Sequence, residues 1–210
     1  MERNPEEHSS VKEIKASLRS TVLGRRDAVD PETRNTLSRD ILREISSLAS
    51  YRSAGTALAY VGFGSELQTG DFLRGTLDLG KTLLLPRVNR ETKSLDIYEV
   101  RNLAEDLEAG TWGIHEPSPE RCAPADLRIV DFVLVPGAAF DSRGGRLGYG
   151  AAFYDKLLAN LRPSRTWLVA GAFEVQMVGD VPMQEHDVPV DLVVTEQRHY
   201  PPEPPHSPGR

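Results

Sequence analysis

The sequence predicts an α/β fold, a single sheet with helices packed on both faces, in one domain. Three observations carry this. Segments with apolar residues every three or four positions alternate with short runs of strand-like composition. The run Asp131 to Val135 is almost continuously apolar and ends on Pro136-Gly137, which suits a strand buried on both faces. The 210 residues contain no internal repeat and no dividing linker, and a chain of that length buries about 70% of its unfolded surface as one unit. The domain is expected to span residues 1–200. Residues 201–210 are proline-rich and suit neither sheet nor helix, so a disordered tail is expected.

Two helices open the chain. Val11, Ile14, Leu18 and Val22 draw one apolar stripe; Leu37, Ile41, Ile45 and Leu48 draw a second, entered through Asp30-Pro31 as N-cap and first helical residue. The period then changes. Gly55 to Val61 reads as a strand, Asp71 to Leu79 as a short helix, Thr82 to Leu85 as a strand stopped by Pro86, and Leu95 to Val100 as another strand. Beyond Asp131 to Val135, Phe153 to Leu161 reads as a helix with Leu157, Leu158 and Leu161 on its apolar side. Trp167 to Ala172 and Leu192 to Thr195 complete the strands.

Composition narrows the function. Hydrophobic residues make up 39% and charged residues 27%, a globular balance. No apolar run approaches the ~20 residues of a membrane span, and the polar N-terminus is no secretory signal. With one cysteine, Cys122, no internal disulfide forms, so a cytoplasmic location is expected. A net charge of −6 argues against general nucleic-acid binding but leaves room for an anionic small molecule. No membrane or protein partner is evident. The chain has no Gly-x-Ser-x-Gly elbow, no Cys-x-x-Cys and no His-Glu-x-x-His, and its five histidines lack metal-ligand spacing.

The informative stretch runs from Val135 through Gly144-Gly145-Arg146-Leu147-Gly148-Tyr149-Gly150 into a helix near Ala151. A buried strand, a glycine-rich loop, an arginine and a helix start follow in the order an anion site needs. The loop is not a Walker A motif, because no Gly-Lys-Ser/Thr closes it. It departs from the dinucleotide fingerprint too, since Phe153 stands where a third glycine belongs. Two accounts of Asp155 stand side by side: a dipole-favoured residue of the first helical turn, or a carboxylate holding magnesium beside phosphates. Asp191 or Asp187 is available to share such a metal. Lys12, Lys15, Arg19 and Arg26 fall on one narrow face of the first helix, beside its apolar stripe. Spacing alone suits a solvated face or the edge of a crevice; the ordered motifs set out below turn Lys15 and Arg19 toward a ligand and leave Lys12 and Arg26 solvated.

The ordered set of motifs resembles the 5-formyltetrahydrofolate cyclo-ligase family. It comprises Lys15-Ala16-Ser17-Leu18-Arg19, Ser65-Glu66, Leu85-Pro86-Arg87, Trp112-Gly113-Ile114 with Glu116-Pro117, Leu134 to Asp141, Gly145 to Gly150, Tyr154-Asp155 and His186 to Asp191. The resemblance implies a three-layer, Rossmann-like α/β fold. It also implies ATP- and Mg2+-dependent conversion of 5-formyltetrahydrofolate to 5,10-methenyltetrahydrofolate, with ADP and phosphate released. By similarity Lys15, Arg19, Arg146, Leu147, Gly148, Tyr149, Gly150, Ala151, Ala152, Phe153 and Tyr154 would contact ATP. Arg19, Val61, Glu66, Tyr149, Gly150, Ala151, Ala152 and Phe153 would contact the folate. Asp155 and Asp191 would hold the metal, and Arg146 and Tyr154 would act at the chemistry. Glu66 suits the pterin's N–H donors as well as an ordinary turn; Tyr154, more than Trp112, suits a pterin wall. The family pattern has a further glycine and a Tyr-Tyr pair where this chain reads Gly150-Ala151-Ala152-Phe153-Tyr154-Asp155. A helix starting at Ala151 would accommodate the alanines. A loop reshaped away from ATP is the other account, and it leaves a non-catalytic nucleotide- or folate-binding relative as the alternative function.

Overall fold

The computed structural model describes residues 5–161 and 166–201, without the side chains of residues 5–10 and of Trp112. The role expected of Trp112 and the tail beyond residue 201 therefore lie outside the described residues. Helices α1 (Pro5–Asp27), α2 (Pro31–Ser47) and α3 (Ala49–Ser53) lead to strand β1 (Thr56–Leu58). Helix α4 (Gly70–Asp78) is followed by β2 (Thr82–Asn89) and β3 (Ser94–Val100). Short strands β4 (Leu107–Ala109), β5 (His115–Pro117) and β6 (Ala123–Pro124) precede β7 (Phe132–Leu134). A small hairpin, β8 (Ala139–Phe140) and β9 (Arg146–Leu147), comes before α5 (Phe153–Leu158), β10 (Trp167–Gly171), β11 (Leu192–Val194) and β12 (His199–Tyr200).

Eight strands form one sheet in the order β12-β11-β10-β7-β1-β2-β3-β6. Its five middle strands, β11 to β2, are parallel, and antiparallel strands flank them on both sides. Side chains alternate across a strand, and β7 shows the consequence. Phe132 and Leu134 pack with Ile41, Ile45, Phe72 and Leu73 of α2 and α4. Val133 and Val135 face the other way, toward Leu157 and Leu158 of α5. The expected helical layers on both faces are present. Each fully buried side chain of this size contributes roughly 1.5–3 kcal/mol.

Local chemistry explains most boundaries. The Asp30 carboxylate accepts the Thr33 N–H at 2.9 Å, capping α2 ahead of Pro31. On α1, Val22 is fully buried while Ile14 is 53% exposed, so the apolar stripe fades toward the N-terminus. Two expectations need correction. Strand β2 does not stop at Pro86 but runs to Asn89. Its pairing with β1 ends at Leu84, and beyond that point only β3 lies alongside, so a residue without an N–H is tolerated on the vacated side. Helix α5 ends at Leu158 rather than Leu161.

Candidate functional site

At β1 the strand order reverses, with β2 on one side and β7 on the other. In open α/β sheets the crevice beyond the carboxyl ends of strands at such a point takes ligands. A cavity of about 520 Å³ opens there, a volume that suits a cofactor-sized molecule. Tyr60, Val61, Phe63 and Glu66 enter it from the loop after β1, Pro86 and Val88 from β2, and Pro136 from beyond β7. Ile114, His115 and Glu116 close one side; Arg146, Gly148, Tyr149 and Ala151 to Asp155 close the other.

The cavity is largely apolar, so its few polar groups are informative. Arg146 is 4% exposed. It donates to the Asp155 carboxylate and, at 3.4 Å, to the Pro136 carbonyl, while its Nε has no partner. The hydroxyl of Tyr154 is likewise buried without a partner. Burial, reinforced by the Glu66 carboxylate, pushes the Tyr154 hydroxyl well above its ordinary pKa, so it remains a donor. Two unused donors buried beside a desolvated cavity are unusual in a folded protein, and acceptor oxygens brought within their reach would satisfy them.

Glu66 is 5% exposed, and its Oε2 accepts the Phe63 N–H at 3.2 Å. Burial raises its pKa above the usual carboxylate range, partly offset by hydrogen bonds from Tyr149 and Phe63 and by the charge of Arg26. Tyr149 also lies under the Arg26 guanidinium, 5.7 Å from the ring centroid. Its ring and that of Phe63 stand 6.1 Å apart at the cavity wall.

The glycine-rich segment divides into two parts. Gly144 and Gly145 belong to the β8–β9 turn. Their region is held by Asp141, 1% exposed, whose carboxylate accepts the N–H groups of Arg143, Gly145 and Val181 at 2.8–2.9 Å. Those amides are therefore occupied, and Gly144 is required because its φ is +82° with the Val190 carbonyl pressed against it. In the second part Gly148, Tyr149 and Ala151 to Asp155 line the cavity, and Gly150 does not. The expected helix start at Ala151 is not what forms: α5 begins at Phe153, and Ala152 caps it in the left-handed region, φ 54°. With six residues and an uncapped first turn, α5 brings little dipole to an anion. Left-handed geometry costs an alanine roughly 1–2 kcal/mol. Ala152→Gly is accordingly expected to raise stability by about 1 kcal/mol, read as a higher denaturation midpoint at unchanged m-value. A lower midpoint would show that the left-handed geometry is not strained.

Of the residues expected at the site, Val61, Glu66, Arg146, Gly148, Tyr149, Ala151, Ala152, Phe153, Tyr154 and Asp155 line one cavity. Arg19 stands just behind the loop: its Nε donates to the Gly148 carbonyl at 2.8 Å, and a Cβ at Gly150 would lie 3.5 Å from its guanidinium. Lys15 points elsewhere, donating to Gln184 at 3.2 Å and to the Asp187 carboxylate. Burial alone would raise Asp187, but the bonds from Lys15 and Gln184 hold it below the usual carboxylate range. The Leu147 side chain is core, packed with Val22, Ala139 and Val181.

The two carboxylates expected at the metal have different surroundings. Asp155 lines the cavity, whereas the Asp191 carboxylate accepts the Leu168 N–H at 2.8 Å at the entrance to β10. Among the described residues no three His, Cys, Asp or Glu are grouped to hold an ion. Mg2+ needs only one or two carboxylates beside phosphate oxygens and water, so Asp155 at the cavity wall fits it.

Sequence reasoning missed Tyr60, Phe63, Arg26 and Glu116. Arg26 was read as solvated and is 5% exposed. Its placement one turn beyond Val22, on the face shared with Arg19, is the signal that could have found it. Glu116 is 4% exposed and accepts the N–H groups of Val88 and Thr111, both at 3.3 Å. Cys122 is buried, and burial together with the Asp106 carboxylate raises its thiol pKa, which suits an unreactive core residue.

The chain is similar to known proteins along most of its length. Residues 11–196 match the 5-formyltetrahydrofolate cyclo-ligase family. A probable 5-formyltetrahydrofolate cyclo-ligase of Caenorhabditis elegans is 26% identical over 90% of this chain and 95% of its own. The 5-formyltetrahydrofolate cyclo-ligase of Mycolicibacterium smegmatis is 30% identical over 88% of this chain and 94% of its own. Among solved structures, the 5,10-methenyltetrahydrofolate synthetase of Aquifex aeolicus superposes with a TM-score of 0.79 at 29% identity, covering 94% of this chain and 97% of that one.

Proposed function

The chain belongs to the 5-formyltetrahydrofolate cyclo-ligase family, and from that premise we propose that its cavity closes the 5-formyl group of tetrahydrofolate into the 5,10-methenyl ring with consumption of ATP. The observation that carries this reading is the pair of unused buried donors, Arg146 Nε and Tyr154 Oη, beside an apolar pocket with one buried carboxylate, Glu66. The flat, donor-edged pterin suits the apolar walls and Glu66. The acceptor-rich phosphates suit the two donors.

The chemistry needs no protein nucleophile. The formyl group on N5 is an amide, and resonance makes its carbon a poor electrophile. Transfer of the γ-phosphoryl group to the formyl oxygen breaks the bond to ADP and turns that oxygen into a leaving group. N10 then attacks the formyl carbon and loses its proton, and phosphate departs with the C–O electron pair. The protein's part is to hold the phosphate in line and neutralise its charge. Arg146 supplies a planar cationic fork, and Tyr154, kept protonated by burial, donates a hydrogen bond. Arg19, fixed on the Gly148 carbonyl, sets the shape of the loop that carries Tyr149 and Gly150. Mg2+, where bound with the nucleotide, neutralises further phosphate charge, and Asp155 is the residue that would hold it. The apolar walls exclude water from the activated formyl carbon.

The decisive experiment mixes purified protein with ATP, Mg2+ and 5-formyltetrahydrofolate. Methenyl absorbance should grow with ADP in equal amount, and product formed without ATP would defeat the reading. Binding of either ligand without turnover would favour a non-catalytic relative. For Asp155→Asn a higher Mg2+ requirement is expected in the same assay, with half-saturation displaced about tenfold. An unchanged Mg2+ titration would leave Asp155 as the partner of Arg146 alone.

A further inference from the structure

Arg26 lies near the end of α1, yet it is buried behind the cavity wall, against Tyr149. Its Nε donates to Ser65 Oγ at 2.9 Å, and its Nη1 donates to Tyr149 Oη at 2.6 Å. Ser65 in turn donates to the Asp27 carboxylate, so one turn of α1 grips the loop after β1 from both charges. The Tyr149 hydroxyl is the link inward. It accepts from Arg26 and lies beside the Glu66 carboxylate, which its hydroxyl and the Arg26 charge both favour in the ionised form. A buried cation on α1 thus reaches a buried carboxylate of the cavity through one hydroxyl.

The groups facing Glu66 make this contact consequential. From the loop after β1 come Tyr60 and the Phe63 N–H; from the segment around α5 come Tyr149 and Tyr154, with Arg146 acting on Tyr154 in turn; from α1 comes Arg26. A carboxylate in apolar surroundings favours its neutral form. Neutral, it presents an O–H donor; ionised, it presents acceptors only, as amino and ring N–H groups require.

We propose that Arg26 is a positioning residue for substrate recognition: through Tyr149 it holds the Glu66 carboxylate ionised and oriented toward the pterin's amino and ring N–H groups. This rests on the folate reading above and adds to it the residue that sets the charge of its recognition group. The guanidinium suits the task because it stays charged when buried and serves two acceptors at once.

The test is the pH dependence of 5-formyltetrahydrofolate binding, followed by calorimetry without ATP, beside kcat/KM against pH. Loss of an opposite charge raises a carboxyl pKa, so Arg26→Met should move the acid limb of both profiles up by about one pH unit. On that limb affinity then falls about tenfold, seen as a raised folate KM with kcat less affected. Arg26→Lys, which keeps the charge, should recover most of the shift. In a Glu66→Gln background, Arg26→Met should leave the profile where it is. A lower melting temperature with an unmoved acid limb overturns the proposal and leaves Arg26 a structural tie. Should Arg26→Met fail to fold, Tyr149→Phe removes the linking hydroxyl; the same upward displacement supports the proposal, and an unmoved limb overturns it. Wild-type protein that binds no folate at any pH would overturn the folate reading and this proposal with it, whereas bound folate with an unmoved limb overturns the proposal alone.

Discussion

Arg146→Ala is expected to lower kcat by about 10²–10³-fold, the loss typical of removing one preorganised charge from a transition state. The same substitution also costs stability. The guanidinium is 4% exposed and pairs with Asp155, whose side chain is 15% exposed. Removing one partner of a buried pair leaves the other uncompensated and costs about 3 kcal/mol, the low end of the usual range because Asp155 retains some solvent. In a domain of this size that is a fall of about 6–12 °C in Tm. The two effects separate in the double variant Arg146→Ala/Asp155→Ala, which should recover much of the melting temperature and none of the turnover. Arg146→Lys keeps the charge without the fork and should fall between wild type and alanine in single-turnover rate. A folded Arg146→Ala protein turning over at near wild-type rate would remove Arg146, and with it the proposed phosphate position, from the mechanism.

The ion pair itself follows from the fold. Arg146 sits in the two-residue strand β9 and Asp155 in the first turn of α5, and the intervening loop folds back so that both reach the same cavity. In the proposed mechanism a phosphate entering there would compete with Asp155 for the guanidinium and would free the carboxylate as it did so. One displacement would serve both charges.

What the sequence revealed, and what it hid, follows the same local logic. Strands β1, β7, β10 and β11 were legible because apolar runs bounded by breakers leave few alternatives. Strand β2 was cut short because a proline was given more weight than its surroundings justify; whether a missing N–H matters depends on a neighbour that the sequence does not display. The segment that meets the cavity was legible as glycines and an arginine leading into a helix. Its division was not, since Asp141 looks like any loop aspartate until its oxygens are found on the amides of Arg143, Gly145 and Val181. Arg26 was hidden for a similar reason: helix spacing places it beside the buried stripe, but only the arrival of Ser65 and Tyr149 buries it. Asp191 is legible in the sequence as a carboxylate just before a strand, but not the hydrogen bond it accepts from Leu168 at the entrance to β10.

Glu66→Gln should weaken 5-formyltetrahydrofolate binding about 100-fold while making the protein more stable at neutral pH. The loss of affinity follows from exchanging a charged acceptor pair for an amide with one acceptor, worth up to about 3 kcal/mol for hydrogen bonds to a charged group. The gain in stability follows from burial, the main cause that raises the Glu66 pKa in the folded protein. Between the ordinary glutamate pKa and that raised value, the folded state holds a proton which the unfolded state has released. Stability due to this group therefore falls as pH rises through the interval, and the deficit is complete above it. Glutamine carries no such deficit. The Tm of Glu66→Gln should exceed that of wild type at pH 7.5, and the gap should close as pH falls toward about 4, where the unfolded glutamate is itself protonated. Melting curves from pH 4 to 8 on both proteins, with a folate titration at pH 7.5, read out both halves. A gap that does not vary with pH would mean that Glu66 is not desolvated as the fold indicates. Unaltered folate affinity would mean that the buried carboxylate does not meet the ligand. A recognition group held charged against its own burial is a cost that an enzyme would retain only where the ligand demands it.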